Sequence, residues 1–237
     1  FGIKGVDQYC RFIDTTKEAF RFQKQLVETY YIQSYANQSH QREKPLSIVI
    51  VGAGATGVEL SAELHQVTNL LATYGLEGSI QVDITIIEAA TQLLPALPPR
   101  LSQATQEQLV KLGIKLKLGR RVTEVTETAV HTHDGEVFEA DLKVWAAGIK
   151  APDWMKNLDG LETNAINQLV VDQTLKTSDD DIFAIGDCAA CAWVGHGGNV
   201  PPRAQSAHQQ ASTLAKTLSN RLKGKPAVPF VYLDYGS

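Results

Sequence analysis

Three glycines, at positions 52, 54 and 57, are the residues of this chain whose spacing points most directly to chemistry. Gly52-x-Gly54-x-x-Gly57 follows the apolar, β-branched run Ile48 to Val51 and opens into a helical pattern. A strand–turn–helix of this kind offers an anion the free N–H groups and the positive dipole end of the new helix. Gly52 permits the tight turn, Gly54 lets the backbone approach a pyrophosphate, and Gly57 lets the helix pack close on the strand. The phosphates of a dinucleotide would then rest on the helix head at Gly54, Ala55, Thr56 and Gly57. A glycine-rich turn with only a packing role is the alternative. The strand before it, the helix after it and an acidic residue closing the next strand weigh against that.

That acid is Glu88, 31 positions after Gly57, where the usual offset is about 20. The intervening helix must be long or carry a loop, and residues 75–79 supply one. A carboxylate here would accept hydrogen bonds from an adenosine ribose. Ala89 and Ala90 follow, with no Arg to neutralise a 2′-phosphate, so the pattern reads as NAD(H) rather than NADP(H). The plainer reading is a solvated acid at a strand end. Glu59 is expected in the first turn of the phosphate-binding helix, where the dipole stabilises a carboxylate by about 0.3–1 kcal/mol.

Asp181-Ile-Phe-Ala-Ile-Gly186-Asp187 reads as an apolar strand ending in Gly-Asp, followed by small residues suited to starting a helix. Asp187 could cap that helix or hold the sugar hydroxyls of a second cofactor, and the residues do not choose between these. Cys188-Ala-Ala-Cys191 lacks the context of a redox dithiol, and a single C-x-x-C cannot close a tetrahedral zinc site. No metal site is expected, and the two cysteines read as packing at a helix start. His208, on its residues alone, reads as a surface histidine. Trp145 and Trp154 read as packing residues.

The elements that position these residues follow from periodicity. Thr15-x-x-Glu18 is a capping box, and Ala19, Phe22, Leu26 and Tyr30 recur at helical spacing, so a long amphipathic helix runs to about Asn37. The polar stretch Asn37 to Lys44, closed by Pro45, reads as a boundary. Strands are expected at 46–51, 82–87, 114–118, 121–126, 129–133, 136–139 and 142–147, with a hairpin turn at Asp134-Gly135. A helix continues from Ala55 through Leu60, Leu64, Val67 and Leu71. Another covers about Leu101 to Leu112, terminated at Gly113. Leu169 to Val171 and Ile182 to Ile185 read as strands, and Ala204 to Leu222 as a helix. The expected class is α/β: a Rossmann-like dinucleotide domain, a parallel sheet with an antiparallel β excursion, inserted in a partial and discontinuous second domain. The divisions are 1–44, 45–150 and 151–237, with the outer two pieces belonging together.

The 237 residues are 43% apolar with a formal net charge of −4, which allows one large or two medium domains. No Lys/Arg block stands out, so nucleic acid is excluded as a partner. No apolar run reaches the roughly 18 residues of a membrane span. Three cysteines fit a reducing compartment better than a disulfide framework. The chain opens on Phe1-Gly2 and its one methionine is Met155, so further sequence is expected on both sides.

Four stretches taken together resemble the two-dinucleotide-binding flavoprotein reductases, above all the type II NADH:quinone oxidoreductases. They are Val51-Gly-Ala-Gly-Ala-Thr-Gly-Val-Glu59, Trp145-Ala-Ala147-Gly148-Ile-Lys150, Asp181 to Asp187, and Pro202-Arg-Ala204-Gln205-Ser-Ala-His208-Gln, in family order. The resemblance implies NADH and FAD as cofactors, with hydride transfer to FAD followed by two-electron reduction of a quinone. It implies that Ala147 and Gly148 contact the nucleotide and that Gly186 and Asp187 hold the FAD ribityl chain. It further implies that Ala204 and Gln205 lie against the flavin, that Gln205 and His208 lie near the quinone, and that Glu59 influences quinone reduction. The intact protein is then expected on the inner face of the cell membrane, peripherally bound from the cytoplasm, and a homodimer is compatible with the resemblance. The family's first glycine fingerprint and its C-terminal membrane-docking region are not in the sequence, and Arg203 stands where the family often has a small residue. Weak or no retention of FAD by this stretch is therefore expected. The rival readings are a soluble NADH-dependent reductase of ferredoxin, rubredoxin or sulfide, and a non-catalytic NADH-binding module.

Overall fold

The computed structural model describes residues 2–40, 44–73, 80–95 and 97–236. They divide into two units, Phe1–Gly148 and Ile149–Ser237.

The first unit opens with a short helix, α1 (Val6–Tyr9), and a long one, α2 (Thr16–His40). The expected capping box is present: Thr15 N–H donates to Glu18 Oε2 at 3.0 Å, and Glu18 N–H donates to Thr15 Oγ1 at 3.2 Å. Two orphan amides at the helix start are thereby satisfied. The helix runs past Asn37 to His40, and the side chains of Gln33 and Asn37 both donate to the Lys44 carbonyl. Residues 41–43 and the expected loop at 75–79 lie outside the described residues.

Seven strands follow, interleaved with α3 (Ala55–Thr73) and α4 (Pro99–Lys111): β1 (Leu46–Val51), β2 (Val82–Ile87), β3 (Lys115–Lys117), β4 (Val122–Val125), β5 (Ala129–Thr132), β6 (Val137–Glu139) and β7 (Leu142–Trp145). Four of them form a sheet in the order β3-β2-β1-β7, every neighbouring pair parallel. Strands β4, β5 and β6 form a separate antiparallel sheet, closed by the turn at Asp134-Gly135. Gly113 ends α4 in the left-handed conformation, at φ +81°, as the sequence suggests.

Strand alternation sorts the parallel sheet into two packed faces. Leu46, Ile48 and Ile50 of β1, with Ile84, Ile86, Leu142 and Val144, pack against Phe22, Leu26 and Tyr30 of α2, Leu64 of α3 and Leu109 of α4. Val49, Val51, Ile87 and Trp145 face the other way, onto α1 and onto Val122, Val125 and Val130 of the antiparallel sheet. Burial on both faces explains why β1 reads as an unbroken apolar run. Helix α2 thus packs on this sheet, so the sequence division at 44/45 is not a boundary of packing.

The second unit is smaller. It has a 3₁₀ turn at Asp153–Asn157, strand β8 (Leu169–Val171), a 3₁₀ turn at Gly186–Cys188, strand β9 (Ala189–Cys191) and helix α5 (Ala204–Leu222). Strands β8 and β9 pair in parallel. Three expectations fail here. Ile182 to Ile185 is not a strand; Phe183 makes an isolated bridge to Lys176, and the neighbouring backbone groups bond to residues 175 and 177. Cys188 to Cys191 does not start a helix, because pairing with β8 draws Ala189 to Cys191 into a strand and overrides the helical preference of alanine. Trp154 is 63% exposed, so it is not a packing residue; Trp145, at 5%, is.

Tyr30 is fully buried, and its hydroxyl has no hydrogen-bond partner among the described residues. An unpartnered buried hydroxyl costs free energy. Tyr30→Phe should therefore leave stability to urea unchanged or raise it by about 1 kcal/mol. A clear loss in the urea midpoint would show that the hydroxyl is satisfied after all.

Candidate nucleotide and flavin sites

The glycine turn forms where β1, central in its sheet, runs into α3. Gly52 N–H donates to Ile87 C=O at 2.8 Å, and Ala146 N–H donates to Val51 C=O at 2.8 Å, so the turn is tied to both neighbouring strands. Gly52 has φ +110°, and a Cβ there would lie 2.7 Å from backbone atoms of Ala146 and Ala147. A Cβ on Gly57 would lie 2.0 Å from the Gly52 carbonyl oxygen. Residue 54 is different: a Cβ there would meet nothing within 4 Å. Two of the glycines answer to packing, and the third faces space that a ligand's phosphates could occupy.

The head of α3 is open. Its first i→i−4 bond runs from Val58 N–H to Gly54 C=O at 3.1 Å, so the amides of Ala55, Thr56 and Gly57 precede the helical ladder. Ala55 and Thr56 are exposed. Glu59 is exposed too, but it opens the second turn, and the first turn carries no acid. The expected first-turn interaction with the dipole is thus displaced by one turn and weakened, since the effect decays within the first turn.

Glu88 stands at the end of β2 as expected, half-buried. Its carboxylate holds the turn together: Oε2 accepts from Ala53 N–H at 2.7 Å and Oε1 accepts from Ala90 N–H at 2.8 Å. It is therefore not a freely solvated acid. Each oxygen retains a lone pair for a ribose hydroxyl. Ala147 lies beside Gly52 and its carbonyl accepts from Trp145 Nε1 at 3.0 Å. Gly148 follows, exposed and at φ +75°. The first unit thus brings together Gly52, Gly54, Ala55, Thr56, Gly57, Glu88, Ala147 and Gly148.

In the second unit, Gly186 and Asp187 lie in the 3₁₀ turn between Ile185 and β9, not at a helix start. Asp187 therefore caps no α-helix, and its side chain is exposed. Gly186 N–H donates to Gln210 Oε1 at 2.6 Å, and Gln168 Nε2 donates to Asp187 C=O at 2.8 Å. Ala204 opens α5, exposed, and His208 is exposed one turn on. The Gln205 amide is committed to the final segment of the chain. Its Nε2 donates to Asp234 Oδ1 at 3.3 Å and to Gly236 C=O at 3.1 Å, and its Oε1 accepts from Tyr235 N–H at 3.3 Å. Gln209 makes a reciprocal pair with the Leu233 backbone, at 2.8 and 3.0 Å, and Arg203 approaches Asp234 at 3.5 Å.

Sequence reasoning missed Gln168, Gln209 and Gln210. The available signal was the polar pair Ser206 and Gln210, one helical turn apart on what proves to be the buried face of α5. The cysteines are free thiols, and burial pushes Cys10 and Cys191 up to about 11, which disfavours the thiolate that redox exchange needs. Among the described residues no group of His, Cys, Asp and Glu is arranged to hold a metal.

The family model for pyridine nucleotide-disulphide oxidoreductases matches residues 1–211. The chain belongs to this family. It is 44% identical over 252 aligned residues to a type II NADH:quinone oxidoreductase of Haemophilus influenzae, covering all of this chain and 56% of that protein. It is 34% identical to the enzyme of that name from Staphylococcus saprophyticus, covering 59% of that protein. The chain thus spans a little over half the length of the curated relatives it matches. Its fold aligns with NDH2 from Plasmodium falciparum solved in complex with NADH, at a TM-score of 0.85 and 20% identity, over all of this chain and 64% of that one. It also aligns with a ferredoxin reductase from Rhodopseudomonas palustris, at a TM-score of 0.70 and 24% identity, over 97% of this chain and 50% of that one. The expected α/β flavoprotein oxidoreductase fold with a parallel sheet is the fold observed.

The geometry separates the roles of these positions by stability. Gly57→Ala should destabilise the first unit by about 2 kcal/mol or more, since backbone must move, whereas Gly54→Ala should cost under about 1 kcal/mol. Equal urea midpoints for the two variants would refute the packing account. Glu88→Ala, which strands two amide donors, should cost about 2–3 kcal/mol, and Glu88→Gln less because one acceptor remains. An unaltered midpoint for Glu88→Ala would show that the latch contributes nothing.

Proposed function

We propose that the protein carrying this sequence is an NADH dehydrogenase, passing a hydride from NADH to FAD and then two electrons to a membrane quinone. The observation that carries the reading is the open space above Gly54 at the unladdered head of α3, with Glu88 closing the neighbouring strand. The family to which the chain belongs and the names of its relatives agree with it.

In this reading the amides of Gly54, Ala55, Thr56 and Gly57 take the pyrophosphate, and the residual lone pairs of Glu88 take the adenosine ribose hydroxyls. Ala89 and Ala90 leave a 2′-phosphate without a counter-charge, so NADH is preferred to NADPH. Ala147 and Gly148, at the end of β7, flank the nucleotide, and Gly148 presents no side chain there. FAD supplies hydride acceptance and electron delivery when bound. Asp187 on its exposed turn fits the polyol of the flavin, and Ala204 at the head of α5 fits a close approach to the ring. In this reading Gln205 and His208 serve the quinone side. With its amide bound to residues 234–236, Gln205 acts there by fixing that segment. Glu59 acts through its charge near the redox groups. In this reading the NADH domain spans 45–150 with α2 of residues 1–44 packed on its sheet, and residues 151–237 belong to the FAD lobe.

The quinone substrate implies work at a lipid surface. Among the described residues no helix is long and apolar enough to cross a membrane. A peripheral seat on the inner face of the cell membrane, reached from the cytoplasm, is the arrangement that serves the proposed reaction. A homodimer is compatible with it.

Isothermal calorimetry with NADH should give saturable binding, and NADPH should bind at least about tenfold more weakly, a difference of about 1.4 kcal/mol. Gly54→Ala should weaken NADH binding by a similar factor while leaving the urea midpoint near wild type. A folded protein with no heat of NADH association, or Gly54→Ala with unaltered affinity, would remove the reading. Glu59→Gln should slow quinone reduction in the full enzyme and leave NADH affinity unaltered; unaltered rates in both half-reactions would exclude Glu59.

A further inference from the structure

The second unit contains two buried glutamines that no part of the proposed reaction requires. Gln210, on α5, is 2% exposed, and Gln168, just before β8, is 6% exposed. Burying an amide is unfavourable unless it is hydrogen-bonded, and each directs one side-chain bond to the same three-residue turn. Gln210 Oε1 accepts from Gly186 N–H at 2.6 Å. Gln168 Nε2 donates to Asp187 C=O at 2.8 Å. Gln168 is itself held from two sides: its Oε1 accepts from Asn164 Nδ2 at 2.8 Å, and its N–H donates to Asn164 Oδ1 at 3.0 Å.

The turn they grip is tight. Gly186 has φ +69°, and a Cβ on it would touch Ala207 Cβ at 3.4 Å. The preceding Ile185 is extended, at φ −140° and ψ 163°, so the chain changes direction at residue 186. The amide entering the turn and the carbonyl leaving Asp187 are both bound to side chains. The Asp187 carboxylate, between these two anchors, is exposed. Main chain fixed at both ends and an exposed carboxylate suit an acceptor held ready for hydroxyl groups from outside the chain.

We propose that Gln210 and Gln168 are positioning residues, which clamp the Gly186–Asp187 turn so that the Asp187 carboxylate is presented to the polyol hydroxyls of the flavin. This rests on the reading of Asp187 as a flavin ligand. Neither glutamine touches the cofactor; each acts through the backbone of the turn. Gln210 supplies an acceptor only, so a carboxylate at that position can replace it, and an aliphatic side chain cannot.

The test is titration of FAD with the full-length apoprotein that carries this sequence, followed by quenching of flavin fluorescence, with NADH affinity and thermal midpoint measured on every variant. Wild type should quench saturably, and Asp187→Ala should weaken FAD binding. Gln210→Leu should weaken it at least about tenfold, Gln210→Glu should restore it to near wild type, and NADH affinity should be the same throughout. Should Gln210→Leu fail to fold, Gln168→Leu, on the other side of the turn, carries the same expectation. Weakening by Asp187→Ala with wild-type affinity in Gln210→Leu, or in Gln168→Leu where that stands in, would overturn the clamp and leave the flavin reading standing. Equal weakening by Gln210→Leu and Gln210→Glu, each with a lowered thermal midpoint, would reduce Gln210 to a packing role and also overturn the clamp. Wild-type affinity in Asp187→Ala, or no saturable quenching by wild type, would bring down the flavin reading and the clamp together.

Discussion

The carbonyl oxygen of Gly52 occupies the place where a side chain on residue 57 would begin, with a Cβ there only 2.0 Å away. Because residue 57 has no Cβ, α3 can start directly against the end of β1. Because residue 52 has none either, the end of β7 can cross it at Ala146 and Ala147. The two contacts draw a helix head, a central strand and a neighbouring strand end to one point. The Glu88 carboxylate then latches the turn to the end of β2 through Ala53. What emerges from these constraints is a row of helix-head amides facing open space at residue 54.

The two units are held by different physics at their candidate sites. In the first, strand alternation gives the sheet two apolar faces, and main-chain hydrogen bonds fix the turn with one carboxylate added. In the second there is little sheet to work with, only β8 paired with β9. Side-chain amides take over: Gln168 and Gln210 at the 3₁₀ turn, Gln205 and Gln209 along the final segment. A buried amide is unfavourable unpaired, but it specifies one geometry when its partners are met.

The first unit was legible in the sequence because its signals are local. A β-branched run, a glycine triplet and a capping box each fix a backbone geometry within a few residues, and β1, β2 and the start of α2 lie where they indicate. The second unit was less legible because its structure is decided by partners distant in the chain. Ala189 to Cys191 becomes a strand only because Leu169 to Val171 lies beside it. The start of α3 at Ala55 was legible, and counting from it puts Glu59, the fifth residue, in the second turn rather than the first. The function of Glu88 was half legible: its place at a strand end was, its grip on two backbone amides was not.

That grip bears on how such a protein changes over generations. A basic residue at 88 would set a cation against the N–H groups of Ala53 and Ala90, which now meet a carboxylate. The turn would loosen before any new preference for a phosphorylated nucleotide could be selected. Drift at this position is thus policed by folding itself, and a lineage adopting a different electron donor would need first to acquire another way of latching the turn.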